Sequence, residues 1–336
     1  MIHPFLKHLL TKLLWLGVVF TGITALSFWV IHLAPGSPTD LQVTLNPLAG
    51  EAARERLEAM YGLDQPISVQ YLHWMDRILH LDFGRSMSGD HRPVWDKIKE
   101  RLPLTLSLNI MTMLLILGVS IPLGVISAWY QGGWFDRIST VLVFVGFAIP
   151  GFWLALLLML FLGIIYPIFP ISGLTSLDFA SLSLWEKLVD LARHLTLPLL
   201  VSTITGLAGM SRFMRSSMLE VLRQDYILTA RAKGLPRRTV IFRHGLRNGL
   251  LPLITLLGLS IPGLIGGSVI IESLFALPGL GQLFYQGVMA RDYPLIMGNL
   301  VLGAVLTLGG NILADCSYSL ADPRIRVGTS QAGNQE

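Results

Sequence analysis

"YILTARAKGLPRRTVIFRHGLRNGLLPLIT", residues 226 to 255, places a dense run of cations directly before uncharged, leucine-rich sequence. The basic residues of this stretch are Arg231, Lys233, Arg237, Arg238, Arg243 and Arg247. Short cytoplasmic loops of membrane proteins carry an excess of Lys and Arg, and an apolar run is what a spanning helix needs. The stretch therefore predicts a cytoplasmic loop that leads into a membrane span.

The composition of the whole chain agrees with a membrane protein. Of 336 residues, 52% are hydrophobic and 14% are charged, and the mean hydropathy is +0.61, whereas soluble domains carry roughly 25% charged residues. The net charge of +4 does not indicate a nucleic-acid partner, because a basic binding patch needs a polar background. The single cysteine, Cys316, excludes an internal disulfide and a cysteine-rich metal site.

Six windows without charged residues are long enough to cross a bilayer, which predicts an all-α integral membrane protein. The predicted spans are residues 13–33, 104–130, 138–165, 195–219, 249–271 and 293–316. The fourth window extends past Arg212, whose long side chain can reach the headgroups. The first window follows Lys7 and Lys12, as a signal peptide does, but it is too long for a signal sequence and predicts a retained anchor.

The distribution of cations predicts the orientation. Residues 221–247 hold seven Lys and Arg against Asp225 alone, whereas residues 34–101 mix eight Lys and Arg with ten Asp and Glu. Both termini are therefore expected in the cytoplasm. The predicted cytoplasmic parts are 1–12, 131–137, 220–248 and 317–336, and the outer segments are 34–103, 166–194 and 272–292.

The outer segment 34–103 is too long for a bare connection. Two of its stretches, "EAARERLEAM" (51–60) and "PISVQYLHWMDRIL" (66–79), have helical patterns, and the second starts at Pro66. We expect a small helical cap. It either shields the ends of the spans or contacts a ligand-delivery protein or a second membrane subunit.

The sequence lacks the motifs of ATP hydrolysis, metal binding and covalent catalysis. It contains no G-x-x-x-x-G-K-[ST] phosphate loop, no metal-ligand spacing and no pairing of a nucleophile with a base. The sequence therefore predicts a non-catalytic subunit that binds no cofactor or metal. Carboxylates within the spans are limited to Glu272 and Asp315, both at span ends, so no proton relay can be assembled.

A few polar or small residues within the spans are candidates for lining a pathway or packing helices. They are Ser260, Gly263, Gly267, Ser268, Asn299 and Asn311. Among them, Gly263 and Gly267 form a G-x-x-x-G pair, which lets two helices approach closely. Pro150 with Gly151 can kink its helix.

The basic stretch also has the features of a docking surface. A helix is predicted over 216–233, ended by Gly234 as a C-cap, with a turn before the next helix begins at residue 237. The small residues Ala230, Ala232 and Gly234 let the backbone enter a partner's groove, and the neighbouring cations give specificity. Because the chain lacks its own energy source, we expect energy to arrive through this surface.

These residues resemble a known family. The form "DYxxTARAKGL…RHxLRNxLLP" is similar to the EAA loop of ABC-importer membrane subunits, in the version of the dipeptide, oligopeptide and nickel permease group. Further segments resemble the same group in the same order: "HLAPGSPTD", "YGLDQPISVQYLHWMDRILHLDFGRSM", "ERLPLTLSL", "FPISG", "ALPGLGQLFYQGVMARDYPLIMG" and "LADPRIR". Three residues depart from the pattern, since the generic loop has Glu at Leu228 and the group usually has Asp at Ser37 and Trp at Leu277.

The resemblance implies a type I ABC-importer permease fold in a bacterial or archaeal cytoplasmic membrane. It implies a second homologous permease subunit, two cytoplasmic ATPases that bind ATP and Mg²⁺, and an extracytoplasmic solute-binding protein. The implied coupling residues are Asp225, Tyr226, Leu228, Thr229, Ala230, Arg231, Ala232, Lys233, Gly234, Leu235, Arg237 and Arg238. A peptide substrate is expected, and nickel or another small solute is the alternative within the family. A stand-alone secondary carrier or channel and a membrane enzyme are the alternatives outside it.

Overall fold

The computed structural model describes residues 4–33, 62–260, 263 and 267–321, and this part of the chain is mostly helical. In chain order the α-helices are α1 (Pro4–Leu33), α2 (Ile67–Leu79), α3 (Val94–Trp129), α4 (Trp134–Ala148), α5 (Gly151–Met159), α6 (Leu184–Leu222), α7 (Asp225–Ala232), α8 (Arg237–Thr239), α9 (Arg247–Gly249), α10 (Leu251–Ser260), α11 (Val269–Leu274), α12 (Leu280–Met289) and α13 (Tyr293–Ala321). π-Helical segments follow α5 at Leu160–Ile165 and join α8 to α9 at Val240–Leu246, and a 3-10 turn covers Phe179–Ser181.

Four described helices are long and apolar enough to cross a membrane: residues 14–33 of α1, all of α3 and α6, and residues 293–310 of α13. The pair formed by α4 and α5 with its π segment is a fifth candidate, but it bends by 94°. Pro150 causes the break, because it removes a backbone donor and holds Ile149 in an extended conformation (φ −80°, ψ 122°). The predicted span 138–165 is therefore a bent pair and not one helix.

The predicted span 249–271 is also not one helix. The helix α10 ends at Ser260, α11 begins at Val269, and Gly267 between them has φ +64°. A left-handed residue cannot belong to a right-handed helix. The expected G-x-x-x-G face of Gly263 and Gly267 is therefore wrong, since the two glycines do not share a helix.

The described residues fall into two compact units, of which the first comprises residues 1–103 and 279–309. Here α2 begins directly after Pro66, as predicted, while the predicted helix 51–60 and the departure at Ser37 lie outside the described residues. The rings of Phe28 and Tyr71 meet edge to face at 5.4 Å, and the hydroxyls of Thr24 and Tyr71 lie 3.1 Å apart. These contacts hold α2 against α1.

A buried carboxylate fixes the loop before α3 in this unit. Asp292 is fully buried, and it accepts hydrogen bonds from the hydroxyls of Ser86 and Ser88 and from the backbone N–H of Leu295. Lys97 Nζ in turn lies 2.8 Å from Ser86 Oγ. A buried charge needs such partners, so the loop is held by a satisfied polar network.

Asp82 lies at the surface of the same loop. Arg77 Nε donates to its carboxylate at 2.9 Å. This guanidinium, together with the backbone N–H of Gly84, holds the pKa of Asp82 below its ordinary value. The ionised carboxylate thus closes the turn that follows α2.

The second unit comprises residues 104–278 and 310–336. Its main element is the 39-residue helix α6, which starts at a capping box formed by Ser183 and Glu186. One apolar cluster packs α6 against α3, α5 and the segment after α11; it contains Leu108, Ala155, Leu197, Leu199, Val201, Phe275 and Leu277. A second packs α6 against α3 and the region from the π segment to α10; it contains Val125, Ala128, Met214, Met218, Ile241 and Leu253.

Leu277 belongs to the first cluster and is fully buried. Its side chain therefore lies in an apolar core, at a position where the family pattern has Trp. Its difference from Trp concerns the packing of this unit.

Candidate functional site

The coupling segment, defined as residues 224–238, is a short helix between two breaks. The predicted continuous helix over 216–233 is wrong, because α6 ends at Leu222 and α7 begins at Asp225 after the extended residue Gln224 (φ −71°, ψ 148°). The predicted end is correct. Gly234 has φ +72°, and the N–H groups of Gly234 and Leu235 donate to the carbonyls of Arg231 and Ala230 at 2.9 and 3.4 Å. This pair of bonds is a Schellman motif.

An apolar cluster of three side chains seats α7 on the rest of the unit. Ile227, Ala230 and Val240 are buried together, with Leu222 packed against them. Ala230 is therefore a core residue of the segment. The expectation that its small side chain admits a partner is wrong for this position, since Ala230 faces the protein's own interior.

The other expected coupling residues lie on the exposed side of the segment. They are Asp225, Tyr226, Leu228, Thr229, Arg231, Ala232, Lys233, Gly234, Leu235, Arg237 and Arg238. Leu228 is 53% exposed, so its side chain is available to an apolar surface of a partner. A Cβ at Gly234 would meet no atom within 4 Å, so the turn after α7 is open to a partner.

Two contacts orient this exposed surface. The Tyr226 hydroxyl accepts a hydrogen bond from Asn248 Nδ2 at 2.9 Å, which ties the start of α7 to α9. The Arg237 guanidinium lies 5.2 Å from the centre of the Trp129 ring, within the range of a cation–π interaction. The coupling segment is thus connected to α9 near its start and to the end of α3 near its own end.

A buried ion pair near the segment was missed by the sequence analysis. Arg215 Nε and Nη2 each donate to a carboxylate oxygen of Asp136 at 2.7 Å, and the Gly132 N–H donates to the same carboxylate at 2.9 Å. The Asp136 side chain is only 6% exposed. The ion pair joins the first turn of α4 to α6. In the sequence, the only local hint of a structural role for Asp136 is its position shortly after the glycine turn.

A groove of about 520 Å³ lies between α3, α6 and the region around α10. The residues lining it are Asn109, Thr112, Met113, Ile116, Leu117, Gly206, Gly209, Met210, Phe213, Leu256, Leu257, Ser260 and Gly263. Two of the predicted pathway residues, Ser260 and Gly263, are therefore brought together. Asn109 and Thr112 were not singled out from sequence, although they are the polar side chains that α3 contributes.

The remaining pathway candidates do not line this groove. Ser268 caps α11, because its hydroxyl accepts from the Ile271 N–H at 3.3 Å. Asn299 Nδ2 donates to the Leu295 carbonyl of its own helix at 3.4 Å. The side chain of Asn311 lies outside what the structure describes. Glu272 is buried and accepts a hydrogen bond from Thr105 Oγ1 at 3.0 Å, so its role is to hold α11 against α3 in the interior.

Within the described ranges, no three His, Cys, Asp or Glu side chains come together as a metal ion would require. The geometry offers two functional features: an exposed segment, residues 224–238, with an excess of cations, and a groove with small and polar residues in its walls. The first can bind a partner through charge and shape. The second can pass a solute between helices.

Comparisons with known proteins cover almost the entire chain. The family described as "Binding-protein-dependent transport system inner membrane component" matches residues 120–327, and the corresponding N-terminal family matches residues 5–109. The chain is 44% identical to the oligopeptide transport system permease protein AppB of Bacillus subtilis over 91% of this chain and 95% of that protein. It is 35% identical to the dipeptide transport system permease protein DppB of Escherichia coli K12, over 96% and 99% of the two chains.

A solved structure supports the fold. The MetNI methionine ABC transporter, in an inward-facing conformation, matches with a TM-score of 0.53 at 18% identity over 67% of this chain and 96% of that chain. At this identity the likeness concerns the fold alone. Taken together, these matches show that the chain belongs to the family of inner membrane components of binding-protein-dependent transport systems, the permease subunits of ABC importers.

Proposed function

We propose that this chain is one of two homologous membrane subunits that form the translocation pathway of an importer for di- or oligopeptides. The substrate class is supported by the similarity to AppB and DppB, which are oligopeptide and dipeptide transport system permease proteins. The groove lined by Asn109, Thr112 and Ser260 would be this subunit's share of the pathway. Its hydroxyl and amide groups suit a peptide, whose backbone both donates and accepts hydrogen bonds.

The chain crosses the bacterial or archaeal cytoplasmic membrane six times in this proposal, with both termini in the cytoplasm. The charge bias of residues 221–247 supports that orientation. A broken fifth crossing through residues 249–271 is compatible with α10 and α11, because irregular backbone is tolerated within a membrane where protein surrounds it.

The coupling segment receives the motion that drives transport. Two cytoplasmic ATPase subunits bind ATP and Mg²⁺, this chain binds no cofactor, and an extracytoplasmic solute-binding protein delivers the peptide. One observation carries this part of the proposal: the coupling segment exposes Arg231, Lys233, Arg237 and Arg238, while Ile227 and Ala230 anchor α7 in the unit. A partner that holds this surface differently in two states can shift the permease between them.

The test uses two matched glycines. Gly234→Trp places a bulky side chain at the coupling segment, and Gly62→Trp is the control, because Gly62 has nearly the same φ (+67° against +72°) and equally open space. The intrinsic backbone cost is therefore the same at both sites. In membranes that contain the partner permease and the ATPases, Gly234→Trp should abolish ATPase capture or ligand-stimulated hydrolysis, and Gly62→Trp should preserve both. Transport by the chain without ATPases would overturn the proposal.

A further inference from the structure

A second cavity, of about 410 Å³, lies where α3 and α6 end. The end of α3 and the turn after it form one wall, and the last turns of α6 with one residue of α7 form the other. The lining residues are Ala128, Trp129, Tyr130, Gln131, Gly133, Leu219, Leu222, Arg223 and Arg231. The groove described above has other walls, so the two sites are separate.

The charge of this cavity is entirely positive. Arg223 and Arg231 are its only charged lining residues, and neither guanidinium forms an ion pair or a hydrogen bond with another side chain in the part of the chain that the structure describes. A ligand that supplies anionic oxygens would match both charges.

An exposed apolar face begins beside the cavity. Trp134 follows the lining residue Gly133 directly, and it starts a row of exposed side chains along α4 at helical spacing. The members of the row are Trp134, Ile138, Val141, Leu142 and Val145. Tyr130, which lines the cavity, is also exposed and stacks with Trp129 at 5.8 Å. Aromatic residues at the end of an apolar span are typical of the level of the lipid headgroups.

We propose that this cavity binds the phosphate headgroup of an anionic phospholipid, with the acyl chains on the exposed face of α4. The proposal rests on the cytoplasmic orientation of the proposed function. A phospholipid accounts for both features together, since basic pockets between helices at the cytoplasmic side bind anionic headgroups and the apolar row matches the tails. The apolar row places the acyl chains of the surrounding bilayer next to the cavity, so a lipid headgroup is a nearby source of anionic oxygens.

The lipid also has a structural consequence for coupling. Arg231 belongs to α7 and Arg223 to the end of α6, so a bound phosphate bridges the break between the two helices. The headgroup therefore stabilises the angle at which the coupling segment leaves α6.

The experiment measures lipid retention and not transport. The full chain, alone and with its partner permease and ATPases, is reconstituted in nanodiscs of phosphatidylglycerol and phosphatidylcholine in equal amounts, extracted into detergent, and analysed by native mass spectrometry. Wild-type protein should retain phosphatidylglycerol selectively. Arg223→Gln and Arg231→Gln should each lower this selectivity about fivefold, as expected for one cation near an anionic headgroup.

The control is Arg243→Gln, which removes the same charge from an exposed position outside the cavity; it should leave the selectivity unchanged. Equal losses in all three variants would overturn the proposal. So would displacement of the lipid by inorganic phosphate, which would assign the site to the free anion, or by the ATPase subunits, which would assign it to a protein carboxylate. ATPase capture is scored on the Arg223→Gln sample, because Arg223 lies outside the coupling segment; a failure of the proposed function is then seen separately from a failure of lipid binding.

Discussion

The ion pair between Asp136 and Arg215 allows a quantitative test of what holds the region of the coupling segment together. Breaking a buried pair by removing one partner costs about 3–5 kcal/mol, because the other charge is left uncompensated. The Arg215 side chain is 32% exposed and that of Asp136 6%, so water screens the pair partly and the expected cost falls just below that range. We expect Arg215→Gln to destabilise the protein by about 2–3 kcal/mol, since the aspartate cannot reach solvent.

The reverse change should cost less. In Asp136→Asn the remaining charge belongs to Arg215, which is long enough to turn toward water, so we expect a loss of about 1 kcal/mol. The double variant should be more stable than the sum of the two losses implies, by more than about 0.5 kcal/mol. The assay is thermal unfolding of the purified chain with its partner subunits in detergent.

Arg212 provides the matched control in the same helix. Its guanidinium lies 4.7 Å from the centre of the Phe144 ring and faces no carboxylate in the described structure. Arg212→Gln should therefore cost below about 1 kcal/mol. If Arg215→Gln unfolds at the same temperature as Arg212→Gln, or if the two single losses simply add, the ion pair does not stabilise this region and the reasoning fails.

Two smaller tests address the groove and the turn that follows α2. Gly206→Ala and Gly209→Ala each gain roughly 1 kcal/mol of helix propensity. At Gly206 the new Cβ would lie 2.4 Å from Ile116 Cδ1, which must move, whereas at Gly209 it meets no atom within 4 Å. Gly209→Ala should therefore be the more stable variant, by about 1 kcal/mol; equal melting temperatures would contradict this packing. The pKa of Asp82 is lowered, so its ion pair with Arg77 stabilises the protein above pH 3.8, the ordinary aspartate value, and this contribution is lost as the pH falls below it. Asp82→Asn should remove this pH dependence of stability, which amounts to at most about 1 kcal/mol. Unfolding followed by tryptophan fluorescence measures it, and a pH profile equal to that of the wild type would refute the assignment.

Features that depend on neighbouring residues were accessible from the sequence. The start of α2 after Pro66 and the C-cap at Gly234 both follow from the backbone properties of one residue type. The apolar character of α1, α3, α6 and α13 follows in the same way from composition alone.

Features set by packing were not accessible. No glycine or proline marks the break between Leu222 and Asp225; the burial of Ile227 and Ala230 against Val240 accompanies it, and that cluster forms only in the folded unit. The signal for the bend at Pro150 was present, but the angle of 94° depends on the surrounding helices. Asp136 and Arg215 are 79 positions apart, so their pairing could not be derived from spacing.

The long helix α6 has a mechanical consequence. Its 39 residues extend over about 58 Å at 1.5 Å per residue, roughly twice the thickness of a bilayer's hydrocarbon core. Because it continues without a break through Pro198, it acts as a lever. A rotation of only about 1° about the end next to the coupling segment moves the far end by about 1 Å over that length. A small change in the tilt of α6 next to α7 would thus displace the opposite end of the helix by a larger distance.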